Sequence, residues 1–222
     1  MKLLTHNTNK LKLGADITNQ YLSENNDIIC LQRFDIKLLD ELDLSGRHWH
    51  FTPSFPNQPN NTHMGLLSIW RQDLDPHITD VAFETQYLTD EEWQGNSYCM
   101  LSFPDHVVVN CLVSGYEQDQ DIWTAQVNEV LAHDGHSKSI IVGDFHAIDM
   151  QPLWQNIRRR GHQNMAGHIN AFKNPRGFLS SLTKVLVRDL TVSNVFHGAD
   201  IFARQEWDII GAHWPVGAIY DI

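Results

Sequence analysis

Short runs of apolar and β-branched residues, each closed by polar ones, recur along the whole chain. They are KLLTHN at 2–7, DIICLQ at 27–32, GLLSIW at 65–70, YCMLSF at 98–103, HVVVNCLV at 106–113, SIIVGDF at 139–145, TKVLV at 183–187, LTVSNVF at 190–196 and VGAIYDI at 216–222. Runs of this kind predict strands. Between some of them the apolar period lengthens to that of a helix. KLKLGADITNQYLSE offers Leu11, Leu13, Ile17 and Leu22; DIWTAQVNEVLAHDG sets Trp123, Val127, Val130 and Leu131 on one face ahead of a stop at Gly135; MQPLWQNIRRR places Pro152 in a first turn. Strands interspersed with helices predict a layered α/β protein. The turn PD between YCMLSF and HVVVNCLV predicts an antiparallel pair, so a purely parallel sheet is not expected. The Pro/Asn-rich FTPSFPNQPNNTH, residues 51–63, is read as a surface loop. No repeat, low-complexity tract or Gly/Ser linker interrupts the pattern.

Composition adds scale and compartment. With 222 residues, 42% hydrophobic and 19% charged, the chain can bury a sizeable core and is read as a single domain over 1–222. The opening MKLLTHNTN has no apolar h-region and no window approaches a membrane span, so a soluble, unexported protein is expected. Cys30, Cys99 and Cys111 lie in or beside apolar runs, which suits buried reduced thiols and a cytoplasmic location better than a disulfide framework.

The net charge of −11 is unevenly spread: 8 Lys/Arg stand against 22 Asp/Glu in residues 1–150, 7 against none in 151–188, and 1 against 5 in 189–222. Binding to a polyphosphate depends largely on cations that release counterions, so long duplex nucleic acid is not an expected partner. The basic segment carries Arg158, Arg159, Arg160, Lys173 and Arg176. It reads either as a solvated face balancing acidic neighbours or as a docking surface for a phosphate or an acidic partner.

Chemistry in open α/β sheets gathers beyond strand ends. Four ends here carry polar residues together: THNTN at 5–9, LQRFD at 31–35, VGDFHA at 142–147 and GAHWPV at 211–216. In VGDFHA, Gly143 lets the backbone turn and Asp144 and His146 fall on one side with Phe145 opposite. An Asp and a His two apart make a candidate metal or acid/base pair, although a turn-forming Asp is also common at strand ends.

Taken in order, MKLLTHNTN, DIICLQRFD, HVVVNCLVSG, IIVGDFHA and GAHWPVGAI resemble the successive motifs of the endonuclease/exonuclease/phosphatase superfamily, whose patterns run roughly WN-x-N, D-[IV]-[IV]-x-LQE, N-T-H, GDFN and SDH-x-PV. The resemblance spans nearly the whole chain. It implies a four-layer α/β sandwich, two mixed sheets face to face with helices outside. It also implies phosphoester hydrolysis at a site holding Mg2+ or Mn2+. Asn7 then matches the first-motif Asn and Asn9 the polar residue two further on, both metal-site positions. Asp144 matches the residue that orients or deprotonates the nucleophile, and His213 matches the catalytic His.

The departures fall on the ligands. The metal-binding Glu of LQE is Arg33, the Asp before the last His is Ala212, the Asn of GDFN is His146, the His of N-T-H is Leu112, and the Asp of the penultimate strand aligns with Thr183. Arg33 exchanges a negative ligand for a positive charge, and two cations that close repel by several kcal/mol at intermediate dielectric. The expectation is a guanidinium in the metal's space, paired with Asp144 and near the Asn7 amide. A softer ion such as Zn2+ or Mn2+ on Asp144, His146 and His213 is the alternative donor set. Asp149, Glu206 and Asp208 read either as ordinary loop acids or as a displaced carboxylate for the site, and His48, His50, His63, His106 and His133 show no ligand spacing.

Two functional expectations follow. The first is a pseudoenzyme with lost or strongly impaired phosphoester hydrolysis and no cofactor, binding a protein partner or a phosphorylated ligand. The second is a divergent metal-dependent phosphodiesterase or phosphatase using Asn7, Asp144, His146 and His213 with Mg2+ or Mn2+.

Overall fold

A computed structural model of the chain describes residues 1–8, 14–54, 63–82, 97–113, 120–132, 138–145, 151–166, 172–173, 179–180, 183–197 and 213–222. The strands are β1 (Lys2–Asn7), β2 (Ile28–Asp35), β3 (Arg47–Pro53), β4 (Met64–Arg71), β5 (His77–Ala82), β6 (Ser97–Ser102), β7 (Val107–Leu112), β8 (Ser139–Asp144), β9 (Gln163–Asn164), β10 (Phe172–Lys173), β11 (Leu179–Ser180), β12 (Thr183–Arg188), β13 (Thr191–His197) and β14 (Val216–Asp221). The helices are α1 (Gly14–Ser23), α2 (Gln120–Ala132) and α3 (Gln151–Arg159), with a 3-10 turn at Ile36–Glu41.

The strands build two mixed six-stranded sheets, ordered β13-β14-β1-β2-β4-β3 and β5-β6-β7-β8-β12-β9; β10 and β11 form a separate pair. Parallel pairing occurs at the middle of each sheet, β1 with β2 and β7 with β8. The expected antiparallel pair is β6 with β7.

Alternation of side chains sorts the core into three layers. Leu3, Ile28, Cys30, Leu66 and Ala218 of the first sheet meet Cys99, Leu101, Val108, Ile140, Val142 and Val185 of the second in the space between the sheets. The opposite face of the first sheet, Leu4, Ile29, Leu31, Leu67 and Ile69, is covered by Ile17 and Tyr21 of α1. The outer face of the second, Val107, Val109, Cys111, Ile141 and Leu186, is covered by Trp123, Val127, Val130 and Leu131 of α2 and Ile157 of α3. The result is the helix–sheet–sheet–helix sandwich expected from the sequence. Among the described residues, no helix is long and apolar enough to cross a membrane.

Five described strands, β3, β5, β9, β10 and β11, have no counterpart among the predicted runs, and residues 51–53, assigned to the loop, are the end of β3. The last three are only two residues long. β3 and β5 are edge strands whose residues are mostly half-buried or exposed, so neither shows an apolar run. Leu11, Leu13 and Gly135 lie outside the described residues, as does the rest of the 51–63 loop from 55 to 62.

Candidate functional site

The C-terminal ends of the two central parallel pairs meet at one end of the sandwich. Asp144 closes β8, with Leu112 of β7 beside it on one flank and Thr183 of β12 on the other. All three are buried. The neighbours of the carboxylate within its own sheet are therefore a leucine and a threonine. Gly143, just before it, has φ +145, and an added Cβ would lie 1.9 Å from the Cys111 carbonyl oxygen. Only glycine lets β8 run this close to β7 while turning the next side chain inward.

The first sheet supplies the facing groups. Asn7, at the end of β1, is buried and its amide Nδ2 donates to Asp144 Oδ2. His213, 2% exposed, brings Nδ1 to 3.7 Å from the same oxygen. Amide and imidazole thus converge on one carboxylate oxygen, from two chain segments of the sheet opposite.

Arg33 reaches this place through a break in strand regularity. Along β2 and β4 the register runs Leu31↔Leu67 and then Phe34↔Gly65, so β2 contains one extra residue. Arg33 sits in that bulge with φ +54, a conformation uncommon for a side chain of its size. Regular alternation would put Leu31 and Phe34 on opposite faces, yet both lie in the outer cluster under α1. The bulge absorbs the mismatch and lets Gln32 and Arg33 follow one another without sending Arg33 outward. The Thr8 amide donates to the Gln32 carbonyl at 2.9 Å and its hydroxyl to the Arg33 carbonyl at 3.0 Å.

Burial pulls the Arg33 pKa below its usual value and the charge of Asp144 pushes it back up. Even so a guanidinium stays protonated. Part of Arg33 is still accessible, and the place it borders with Asn7, Asp144 and His213 is termed the Arg33 recess. The charge of Asp144 thus acts on the Arg33 guanidinium. Among the other described groups, the Asn7 amide bonds the carboxylate and His213 brings its imidazole near it.

Beneath the recess, a buried polar network ties the sheets together. Gln32 Nε2 donates to Thr5 Oγ1 at 2.9 Å and across the inter-sheet space to Asn110 Oδ1 at 2.8 Å. Asn110 Nδ2 in turn donates to Ser68 Oγ at 3.1 Å and to the Leu31 and Leu67 carbonyls at 3.3 Å. Gln32 and Asn110 are the Q of LQE and the N of N-T-H in the motifs quoted above, and here they tie the two sheets together. Sequence reasoning passed over them, although a Gln and an Asn inside otherwise apolar strands signal a satisfied buried network.

It also passed over His6. This buried ring faces away from Asn7, with Nε2 2.9 Å from the His213 carbonyl and Nδ1 3.0 Å from the Tyr21 hydroxyl. Desolvation lowers its pKa to about 4. The next residue after His213, Trp214, packs over the outer cluster and meets the His197 ring edge-on at 4.8 Å.

Among the described basic residues, Arg158, Arg159 and Arg160 stand away from this recess. Arg160 Nη1 donates to the Leu131 carbonyl at the end of α2, and Arg188, paired in register with Ser139, donates to the Arg160 carbonyl. Ser139 opens β8 and Asp144 closes it, so Arg158, Arg159 and Arg160 mark the opposite end of the strand, about 17 Å away at the usual rise. The side chain of Lys173, and Asn9, His146, Asp149, Arg176, Glu206, Asp208 and Ala212, lie outside the described residues.

Among the described residues, the donor set does not by itself make up a Mg2+ or Mn2+ centre. Such ions take several hard oxygen ligands with carboxylates among them. The described groups at the recess are one carboxylate, one amide and one imidazole, with a guanidinium coupled to the carboxylate. Among the described residues, no cluster of three or more His, Cys, Asp or Glu could hold a metal ion.

No family model and no curated protein sequence matches the chain. Solved structures do, over the whole of this chain. A 3′ phosphatase, NExo, from Neisseria bound to a product DNA hairpin is 17% identical with TM-score 0.69, covering 100% of both chains. The human nocturnin catalytic domain with a bound sulfate is 14% identical with TM-score 0.71, covering 100% of this chain and 93% of that one. An endonuclease/exonuclease/phosphatase family protein from Leptotrichia buccalis is 13% identical with TM-score 0.69, covering 100% of both. The chain therefore has the fold of the endonuclease/exonuclease/phosphatase superfamily.

Proposed function

We propose that the chain binds a phosphorylated ligand in the Arg33 recess without a divalent metal, and that its phosphoester hydrolysis is lost or strongly impaired. The observation that carries this reading is Arg33: a left-handed bulge residue whose guanidinium is held, largely buried, in the field of Asp144. Where the motif resemblance puts the metal-binding Glu, the protein keeps a permanent cation instead. A guanidinium offers planar paired donors to phosphoryl oxygens, and the Asn7 amide and His213 imidazole stand beside it. A carboxylate buried without any cation would be costly, so Arg33 also stabilises Asp144. Two proteins of this fold, NExo with its DNA hairpin and nocturnin with its sulfate, hold phosphate-bearing or phosphate-like groups, which supports this ligand class. The net charge of −11 argues for a small phosphorylated molecule over long duplex DNA.

A divergent hydrolase is the second reading. It is favoured by one observation, the convergence of Asn7 and His213 on Asp144 Oδ2, which keeps an acid/base geometry intact. Thermal unfolding with Mg2+, Mn2+ or inorganic phosphate separates the two, because a ligand of the folded state raises the melting temperature. The expected result is no rise with millimolar metal, a rise with phosphate that survives EDTA and vanishes in Arg33→Ala, and no turnover of an aryl phosphodiester. Arg33→Glu combined with Ala212→Asp should gain metal affinity. Metal-dependent turnover abolished by His213→Ala would overturn the proposal.

A further inference from the structure

Successive side chains of a strand point to opposite faces, so β1 sends Asn7 inward to Asp144 and His6 outward to α1. His6 is fully buried there, and its two nitrogens meet partners with different demands. The His213 carbonyl oxygen, 2.9 Å from Nε2, only accepts, so Nε2 carries the hydrogen. In the neutral ring Nδ1 is then an acceptor, and the Tyr21 hydroxyl at 3.0 Å donates to it. One tautomer satisfies both contacts: the His213 carbonyl selects it, and the Tyr21 hydroxyl holds the other nitrogen as an acceptor. The ring edges of His6 and Tyr21 also meet at a steep 77° angle, with centroids 5.8 Å apart, so α1 packing fixes the imidazole plane.

We propose that His6, locked by Tyr21, is a positioning residue for His213: it pins the His213 backbone from the outer face and so sets the line along which the imidazole approaches Asp144 on the inner face. His6 lies on the outer face of β1, opposite Asn7. Its effect passes through one carbonyl, as with outer partners that orient functional imidazoles elsewhere. Trp214, anchored in the same outer cluster, holds the following residue, so the chain is fixed at two successive points just after the His213 Cα. The inference rests on the proposed function only in taking His213 to face the ligand.

The test reads His213 directly, by NMR titration of ring-labelled histidines, alongside phosphate affinity. Tyr21→Phe keeps the packing and removes one hydroxyl; His6→Phe removes both bonds; His6→Gln restores a donor toward the His213 carbonyl. Tyr220→Phe is the control, because His106 and Tyr220 form a comparable buried pair at 3.0 Å at the start of β7, remote from the recess. The expected result is a shift of the His213 titration midpoint by about half a unit or more in Tyr21→Phe and His6→Phe. Phosphate affinity should fall in both by about tenfold, with recovery in His6→Gln and no change at His213 in Tyr220→Phe. An unmoved His213 titration in folded Tyr21→Phe would overturn the inference, and so would an equal shift in the Tyr220→Phe control. If wild-type protein binds no phosphate, the proposed ligand fails while the His213 titration still decides the role of His6.

Discussion

Arg33 and His6 show how much a single residue's surroundings decide. Holding an arginine at φ +54 costs about 1 kcal/mol relative to ordinary strand geometry, and burying its charge costs more unless a carboxylate is near. Asp144 supplies that charge. His6 presents the reverse case, a ring kept neutral by burial, with its pKa lowered from 6.5 to about 4. Above pH 6.5 neither folded nor unfolded chain protonates it appreciably, and it leaves stability unchanged. Between 6.5 and about 4 the unfolded chain takes up a proton that the folded one refuses, so stability falls as pH falls. Below about 4 both forms are protonated and the loss levels off at about 3 kcal/mol. His6→Gln has no such ring. Urea unfolding from pH 7 to 4 should therefore show a steeper decline for the native sequence than for His6→Gln; parallel curves would show that His6 is not held neutral.

At the scale of elements, the ends of strands matter more than their middles. The apolar runs identified β1, β2, β4, β6, β7, β8, β12 and β14 to within a few residues, because central strands bury both faces and need continuous hydrophobicity; the edge strand β13 was legible from its β-branched and aromatic residues instead. Edge strands β3 and β5 are shielded only in part, so RHWHFTP and HITDVA carry no comparable run. The bulge in β2 was equally illegible: DIICLQRFD has no glycine or proline to announce it, and the extra residue becomes visible only against the register of β4. Gly143 was read as a turning point, but its tighter constraint is the approach of β7. Gly143→Ala would put Cβ 1.9 Å from the Cys111 carbonyl oxygen at φ +145, forcing the two strands apart. The expected loss in urea unfolding is on the order of 3 kcal/mol or more, with weakened phosphate binding because Asp144 moves with the strand. A loss below about 1 kcal/mol would mean β8 does not need this approach.

Across the whole molecule, two sheets that share an apolar interior are also fastened by polar groups at the recess end. Gln32 and Asn110 bond across the gap at 2.8 Å, so Asn7, Arg33 and His213 on one sheet hold a fixed relation to Asp144 on the other. The order of polar strand ends made the sandwich and the members Asn7, Asp144, His213 and Arg33 legible from sequence. The supporting residues His6, Thr8, Gln32 and Asn110 were not, because their roles depend on which strand faces which across the interior. Arg158, Arg159 and Arg160 stood out by charge alone, and charge says nothing of distance; they lie at the far end of β8. The central claim is that the protein's own cation stands where a metal would otherwise sit. A crystal structure grown in millimolar Mn2+ tests it most directly, through the anomalous signal of the ion. The account predicts no manganese peak beside Asp144 and the Arg33 guanidinium still turned inward. A manganese ion coordinated by Asp144, with Arg33 turned to solvent, would contradict it.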